Sequence, residues 1–562
     1  MKNLRWQLLI VAIALVAIAV LLFTQRQTID GPGVQPAAGG SYTEGLVGRL
    51  GRLNPLLDNY NQVDKDINRL IFSSLIRFDS RGAPTADLAE AWGVSVNGLV
   101  YNVTLRQDAV WHDGEDVTSE DVLFTIELLR SPEMPATEDL RAFWEAIEVE
   151  AFDEYNLQFR LPEPFAPFLD YLSFGILPQH IFAEEIPADI INSESNLAPI
   201  GSGPYQFGQL LGENNQIEGI VLQANSQYYG QQPLIGQIAF RFYADQSSAM
   251  DAYQQGEIDG IGQVDGDVLG AALADPNLNV YSSRLPLLTM ILFNLDSPEV
   301  AFFQDPLLRT ALLTGLNRDK MIGTVLDGQG VVADGPIMPG TWSYYEDQPR
   351  IAFNANDALR SLKAQGYSIP AEGGSTRGRD GVMLSFQLVH PDDPVHTALA
   401  EMIKEEWAFL GVTVDLVAVD AVTLHEDYLN PRTYQAALVD LDFTGLPDPD
   451  PYPFWHQSQA TGGQNYSRWN DRRASEYLER ARVATLVETR MRLYRNFQIH
   501  FSREMPALPL FYMVYNYAVD AQVQGISIGP LFDPSDRFAG VFEWALVLRT
   551  PIEELPTETS IP

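Results

Sequence analysis

The sequence predicts a mixed α/β fold, and three observations carry that prediction. Strand-like and helix-like runs follow each other in irregular order, which argues against a repetitive β/α barrel. The chain has 562 residues, enough for two or three compact domains with real cores. Hydrophobic residues make up 46% and charged residues 20%, an ordinary globular balance.

Lys2 and Arg5 precede an uninterrupted apolar run from Leu8 to Phe23, and Arg26 follows it. This length approaches that of a membrane-spanning helix, and the charge bias places the positive end inside the cell. Two readings compete for residues 1–24, a cleaved signal peptide and an uncleaved signal anchor; no good small-x-small site follows the apolar run until Ala37-Ala38, and the anchor is the expected one. Residues 25–41, with Gly31, Pro32, Gly33, Pro36, Gly39 and Gly40, read as a flexible linker. Strand-like patterns lie at Val100–Leu105, Ile238–Tyr243, Thr289–Leu295, Val382–Leu388 and Val412–Val419. Helical patterns lie at Asp66–Leu75, Ser119–Leu129, Pro306–Leu313, Asp357–Ala364, Thr397–Leu410 and Ala474–Val487. Thr118–Asp121 and Asn354–Asp357 have capping-box spacing, and Asn317 is placed to cap a helix over Arg318–Leu326. Gly366 can close the helix that Asn354 opens.

Charge and composition exclude several functions. With 74 acidic and 36 basic residues the net charge is −38, which repels a nucleic-acid backbone. The chain has no cysteine, so disulfides, thiol catalysis, cysteine-ligated metal and a lipidated cysteine are all excluded. No nucleophile elbow, zinc-protease helix or phosphate-binding loop motif occurs. No catalytic residues, metal ligands or cofactor are expected. Asp440, Asp442, Thr444, Gly445 and Asp448 mimic the spacing of a calcium loop, but Pro451 stands where the bidentate glutamate belongs. A proline-stiffened loop is the better reading, and such a loop suits the wall of a cleft.

The run Asp87-Leu-Ala-Glu-Ala-Trp92, continuing through Gly98, Arg106, Trp111, His112, Asp113 and Gly114 to Thr118 and Asp121, resembles the hallmark segment of the family 5 extracytoplasmic solute-binding proteins. That family includes oligopeptide, dipeptide and nickel receptors of ABC importers. Further similarities follow in order: Leu53–Leu56, Pro199–Tyr205, Asn225 with Tyr228 and Tyr229, Gly256–Asp259, Phe293–Asn294, Asp305–Arg309, Leu410–Val414 and Pro447–Asp450. Together they cover about 42 to 530.

The resemblance implies a two-lobed periplasmic-binding-protein-like fold with a hinge and an interlobe cleft. Lobe 1 would comprise 42–283 and 500–550, with an inserted subdomain at about 62–195. Lobe 2 would comprise 284–499, and 551–562 would be a tail. The crossings are expected at Arg284–Leu288 and Pro506–Leu510, where proline would keep each segment out of a central sheet position. The body would lie outside the cytoplasm, anchored to the cell membrane by the N-terminal helix. It would act as a monomer, deliver a peptide or similar solute to a membrane permease, and depend on the partner ATPase only indirectly. In peptide-binding members an aspartate of the ligand-facing loop pairs with the peptide's α-amino group. Alignment on Pro447–Pro449 puts Gly445 there, which leaves sugars, modified peptides and other solutes open. The expected ligand contacts are Asp442, Phe443, Thr444 and Gly445 of this loop, with Trp342, Tyr344, Tyr345, Asn294, Tyr42 and Glu44. Two other readings remain at this point: a sensory receptor of the same fold, and an extracellular hydrolase with an unrecognised carboxylate pair.

Overall fold

The computed structural model describes residues 39–213 and 216–547. The expected anchor (1–24), nearly all of the linker (25–41) and the tail (551–562) lie outside the described residues. No helix among the described residues is long and apolar enough to cross a membrane.

One sheet runs through most of the molecule. Its first strand is β1 (Ser41–Val47), and a separate four-stranded antiparallel sheet follows from β2 (Ala89–Val94), β3 (Val100–Leu105), β4 (Glu148–Asp153) and β5 (Asn156–Arg160). The main sheet then continues with β6 (Tyr205–Glu213), β7 (Gln216–Ala224), β8 (Gln237–Tyr243), β9 (Gly260–Ile261), β10 (Leu278–Phe293) and β11 (Gly330–Val332). It is completed by β12 (Ser385–Pro391), β13 (Thr413–Val419), β14 (Ala436–Asp442) and β15 (Ala507–Asp520). The spatial order is β13-β12-β14-β10-β15-β9-β1-β8-β7-β6, with β11 also paired to β15.

β10 and β15 are long antiparallel partners, and they link two bodies. One core collects Tyr42 through Phe240 and then Tyr515 through Trp544. Two further cores lie on opposite faces of the other end of the pair. Ile291 and Phe293 point into one, and Leu288, Met290 and Leu292 into the other. A strand buried on both faces has no polar side to show, which explains the unbroken apolar run Met290–Phe293.

The pairing of β10 with β15 shifts register between Arg284 and Leu288, opposite Val514 and Tyr512. Leu285, within this shift, packs against the first core, and Leu288, at its end, lies in one of the other two. The second passage falls later than Pro506–Leu510, because Ala507 through Tyr512 pack with the second body and Tyr515 with the first. Helix Val487–Glu504 also buries Leu493, Phe497 and Phe501 in the second body, so residues from 500 to 512 do not belong to the first. Nor does proline keep these segments out of the sheet. Pro286 falls in one register shift and Pro509 pairs with Met290 at another, the irregular positions at which a ladder tolerates a missing N–H.

The helix caps follow the sequence. Asp121 accepts the Thr118 N–H at 2.9 Å, Asn354 accepts from Asp357 at 3.1 Å and Asn317 from Lys320 at 3.0 Å. Trp111 is fully buried, and its indole N–H reaches Asp121 at 3.3 Å.

Candidate functional site

The site forms where the two bodies meet. Helix Gln62–Ile71 is capped by Asn61, whose side chain accepts the Val63 N–H. One face of it turns Val63, Ile67 and Leu70 into the first core. Another carries Lys65, Asn68 and Arg69, at i, i+3 and i+4, to the edge of a cavity of about 370 Å³. Pro55, Leu56 and Asp58 line it from the preceding loop, Leu140 and Trp144 from the helix Glu138–Glu145, and Asp170, Tyr171 and Phe174 from the short helix Ala166–Leu172 and the residues after it. Gly175 lets the chain pass close to Pro55, since a Cβ there would lie 2.8 Å from that ring. The second body closes the space with Gly445 and Leu446. The volume is at the small end of the range for ligand pockets, about 300–1,000 Å³.

Main-chain hydrogen bonds join the bodies around this space. Gly445 N–H donates to Phe532 O at 2.7 Å, and Trp342 N–H to Arg81 O at 2.8 Å. Asp448 N–H donates to the Asp170 carboxylate at 2.7 Å. The Pro447–Pro451 loop is held in turn by two ion pairs, the first of them buried. Arg490 grips Asp448 through both carboxylate oxygens, at 2.5 and 2.7 Å, and Arg482 meets Asp450 at 2.7 Å.

The electrostatics of the wall are uneven. Lys65 pairs with Asp533 at 3.2 Å, Arg69 with Asp536 at 3.1 Å and Arg77 with Asp87 at 2.8 Å. Asp58 has no such cation. It accepts one hydrogen bond, from Asn68 Nδ2 at 2.9 Å, and burial pushes its carboxyl up to about 7. The Asn68 bond and Lys65 pull it back, while Asp533 and Asp64 push it further. Burial and then the Asp448 carboxylate hold Asp170 well above the carboxylate range, against the Asp448 N–H and Arg490. Asn68 Oδ1 is buried with no hydrogen-bond partner.

Of the residues expected from sequence, Gly445 lies on this wall. Its φ of +78° is the left-handed conformation that glycine adopts without strain. Asp442 is exposed and accepts the Thr444 N–H at 2.8 Å, closing a turn within its own loop. Phe443 packs on Phe454 with centroids 4.9 Å apart and lines a much smaller space beside Leu446, Thr341 and Tyr512. Thr444 is half-buried in the same turn. Trp342 is buried beside Tyr494 and under Arg490, 5.8 and 5.1 Å away. Tyr344 packs on the second body's core, and Tyr345 lies beneath Arg495 at 4.4 Å.

Asn294 is buried past the end of β10 and donates to the carbonyls of Arg432 and Tyr434 at 2.9 and 3.0 Å. Tyr42 and Glu44 are fully buried in the first body. Both tyrosine hydroxyls, of Tyr42 and Tyr517, donate to Glu44, and Arg537 bridges Glu44 and Asp66 at 2.6 and 2.7 Å. Asp58, Asn68 and Asp170 were not foreseen. They are short polar residues on three separate segments, and only the fold brings them to one cavity.

Comparison with known proteins supplies the context. The family model for bacterial extracellular solute-binding proteins, family 5, matches residues 83–464. The oligopeptide-binding protein AppA of Bacillus subtilis is 26% identical over 510 residues, 89% of this chain and 91% of that protein. The dipeptide-binding protein of Escherichia coli is 25% identical over 466 residues, 79% and 84% of the two chains. The structure of HbpA2 from Haemophilus parasuis shares the fold, with a TM-score of 0.78 at 21% identity over 91% of this chain and all of that one.

Proposed function

The chain belongs to family 5 of the bacterial extracellular solute-binding proteins, and we propose that it is the extracytoplasmic receptor of an ABC importer. It captures a peptide or similar solute between its two bodies and presents it to a membrane permease. The observation that carries this reading is the cavity walled by both bodies, with Asp58, Asn68 and Asp170 on one side and Gly445 and Leu446 on the other. The names of AppA and of the dipeptide-binding protein support a peptide ligand.

The mechanism is a conformational equilibrium in which the ligand shifts populations. Three main-chain hydrogen bonds between the bodies contribute about 1 kcal/mol each. A ligand that converts a 1:99 population of closed molecules to 99:1 must favour the closed form by about 5.5 kcal/mol. Contacts to both walls are needed to supply that difference, and a ligand held by one wall alone leaves the equilibrium unmoved. The register shifts in the β10–β15 pair place the irregular backbone between the bodies, where a hinge can absorb rotation. The receptor binds without turnover and works as a monomer. The apolar run Leu8–Phe23 anchors it in the membrane and keeps it near its permease.

The test has two parts. Native mass spectrometry of the purified body, residues 39–547, identifies any retained ligand. X-ray scattering with and without that ligand then reports the radius of gyration. A measurable decrease on binding is expected. An unchanged radius at saturating ligand sinks the closure mechanism, and chemical conversion of the ligand sinks the receptor reading.

A further inference from the structure

We propose that the interlobe cavity selects a ligand bearing an organic cation, a primary ammonium or a guanidinium, which seats against Asp58, Asn68 and Asp170. The proposal rests on reading this cavity as the ligand site, and it names the class of ligand.

Three observations converge on it. First, the cations of the wall are already committed: Lys65, Arg69 and Arg77 each hold a carboxylate at 2.8–3.2 Å. A carboxylate or phosphate entering the cavity would compete with Asp533, Asp536 and Asp87 for these cations. Second, two carboxylates on the wall form no ion pair. Asp58 is 8% exposed and takes one hydrogen bond, from the Asn68 amide, and Asp170 takes one from the Asp448 N–H, while the nearby Arg490 is engaged by Asp448. A buried carboxylate without a counter-charge is costly, and a ligand cation removes that cost.

Third, Asn68 is 4% exposed and its Oδ1 is an acceptor with no donor. The hydrogen bond from its Nδ2 to Asp58 fixes which atom is left over. An unfilled acceptor beside an unpaired carboxylate calls for a group with several N–H donors, and ammonium and guanidinium have three and five. A metal ion is the weaker candidate, because among the described residues no three His, Cys, Asp or Glu side chains converge as ligands.

The second body's wall ends in Gly445 and Leu446, which add no charge. The charge recognition therefore sits on the first body, and the second body closes over it. The short polar residues at 58, 68 and 170 are the specificity determinants on this reading.

The experiment incubates the purified body with an equimolar pool of acetylated and free tripeptides, balanced in Lys, Arg, Ala and Glu, plus spermidine. Bound species are quantified by mass spectrometry. Basic peptides or spermidine should be retained about tenfold or more over their acidic and acetylated counterparts, the worth of one charge-assisted hydrogen bond. Asp58→Asn should abolish that preference. If Asp58→Asn does not fold, Asp170→Asn provides the same comparison. Retention of peptides without regard to charge overturns the inference and leaves the receptor reading standing. Retention of spermidine with no peptide keeps the inference and overturns a peptide ligand. Retention of nothing overturns both.

Discussion

Replacing Asp58 by asparagine should make the protein more stable at neutral and alkaline pH. In the folded chain the carboxyl of Asp58 is raised from 3.8 to about 7, mainly by burial. A carboxyl whose folded value lies above its unfolded value destabilises the fold as pH rises. Nothing is lost below about pH 4. The loss grows between about pH 4 and pH 7, and it is complete above that. At roughly 1.4 kcal/mol for each tenfold change in proton affinity, the loss at pH 8 reaches about 4 kcal/mol. Asparagine carries no charge at any pH and keeps an oxygen to accept from Asn68. For a body of roughly 280 residues, about 2.1 cal/mol/K per residue converts about 4 kcal/mol to a rise of about 7 °C in Tm. The assay is thermal denaturation of wild type and Asp58→Asn at pH 4 and pH 8. The gain should be present at pH 8 and absent at pH 4. A variant no more stable than wild type at pH 8, or a gain equal at both pH values, would refute the reasoning. Sites that bind charge commonly store such instability.

Other consequences can be tested alongside. Cation binding beside Asp58 and Asp170 favours their ionised forms, so calorimetry at pH 7 in buffers of different ionisation enthalpy should show proton release on binding, about half a proton from Asp58 and a further share from Asp170. Arg537→Met leaves Glu44 and Asp66 buried without their cation and should cost about 3–5 kcal/mol in denaturant unfolding at pH 8. Burial already raises the Asp66 carboxyl and Arg537 draws it back, so that cost should shrink at pH 5, where protonation becomes the easier state. Gly445→Ala meets open space but forces alanine to φ +78°, and should lower stability by about 1 kcal/mol. Asp442→Asn, in an exposed turn outside the cavity, should leave ligand affinity unchanged in calorimetry.

Local order was legible in the sequence wherever local chemistry decides it. The Val100–Leu105 strand, the helix opening at Ser119 and the helix caps at Asn317 and Asn354 stand where the residues place them. The helical pattern at Ala474–Val487 was less faithful. The structure ends that helix at Val483 and starts another at Val487, because Ala484–Leu486 turn the chain so that both helices bury an apolar face in the same core. β15 was not anticipated as a 14-residue strand, since Pro509 reads locally as a breaker and only its partners on both sides make the segment sheet.

By itself the sequence determined the family-like order of motifs, the acidic surface and the absence of thiol chemistry, because these depend on residue type and near spacing. It also pointed to the loop around Gly445, and that glycine borders the cavity. Tertiary structure alone decided which side chains line the cavity. Tyr42 and Glu44 lie on the first strand, but Arg537, 493 residues from Glu44, draws Glu44 into a buried network. Asp58, Asn68 and Asp170 come from three segments, and the two carboxylates among them form no ion pair in the folded chain. Long-range charge pairing is invisible to local pattern, and it is what fixes which acidic groups are spent on ion pairs within the fold and which are left without one.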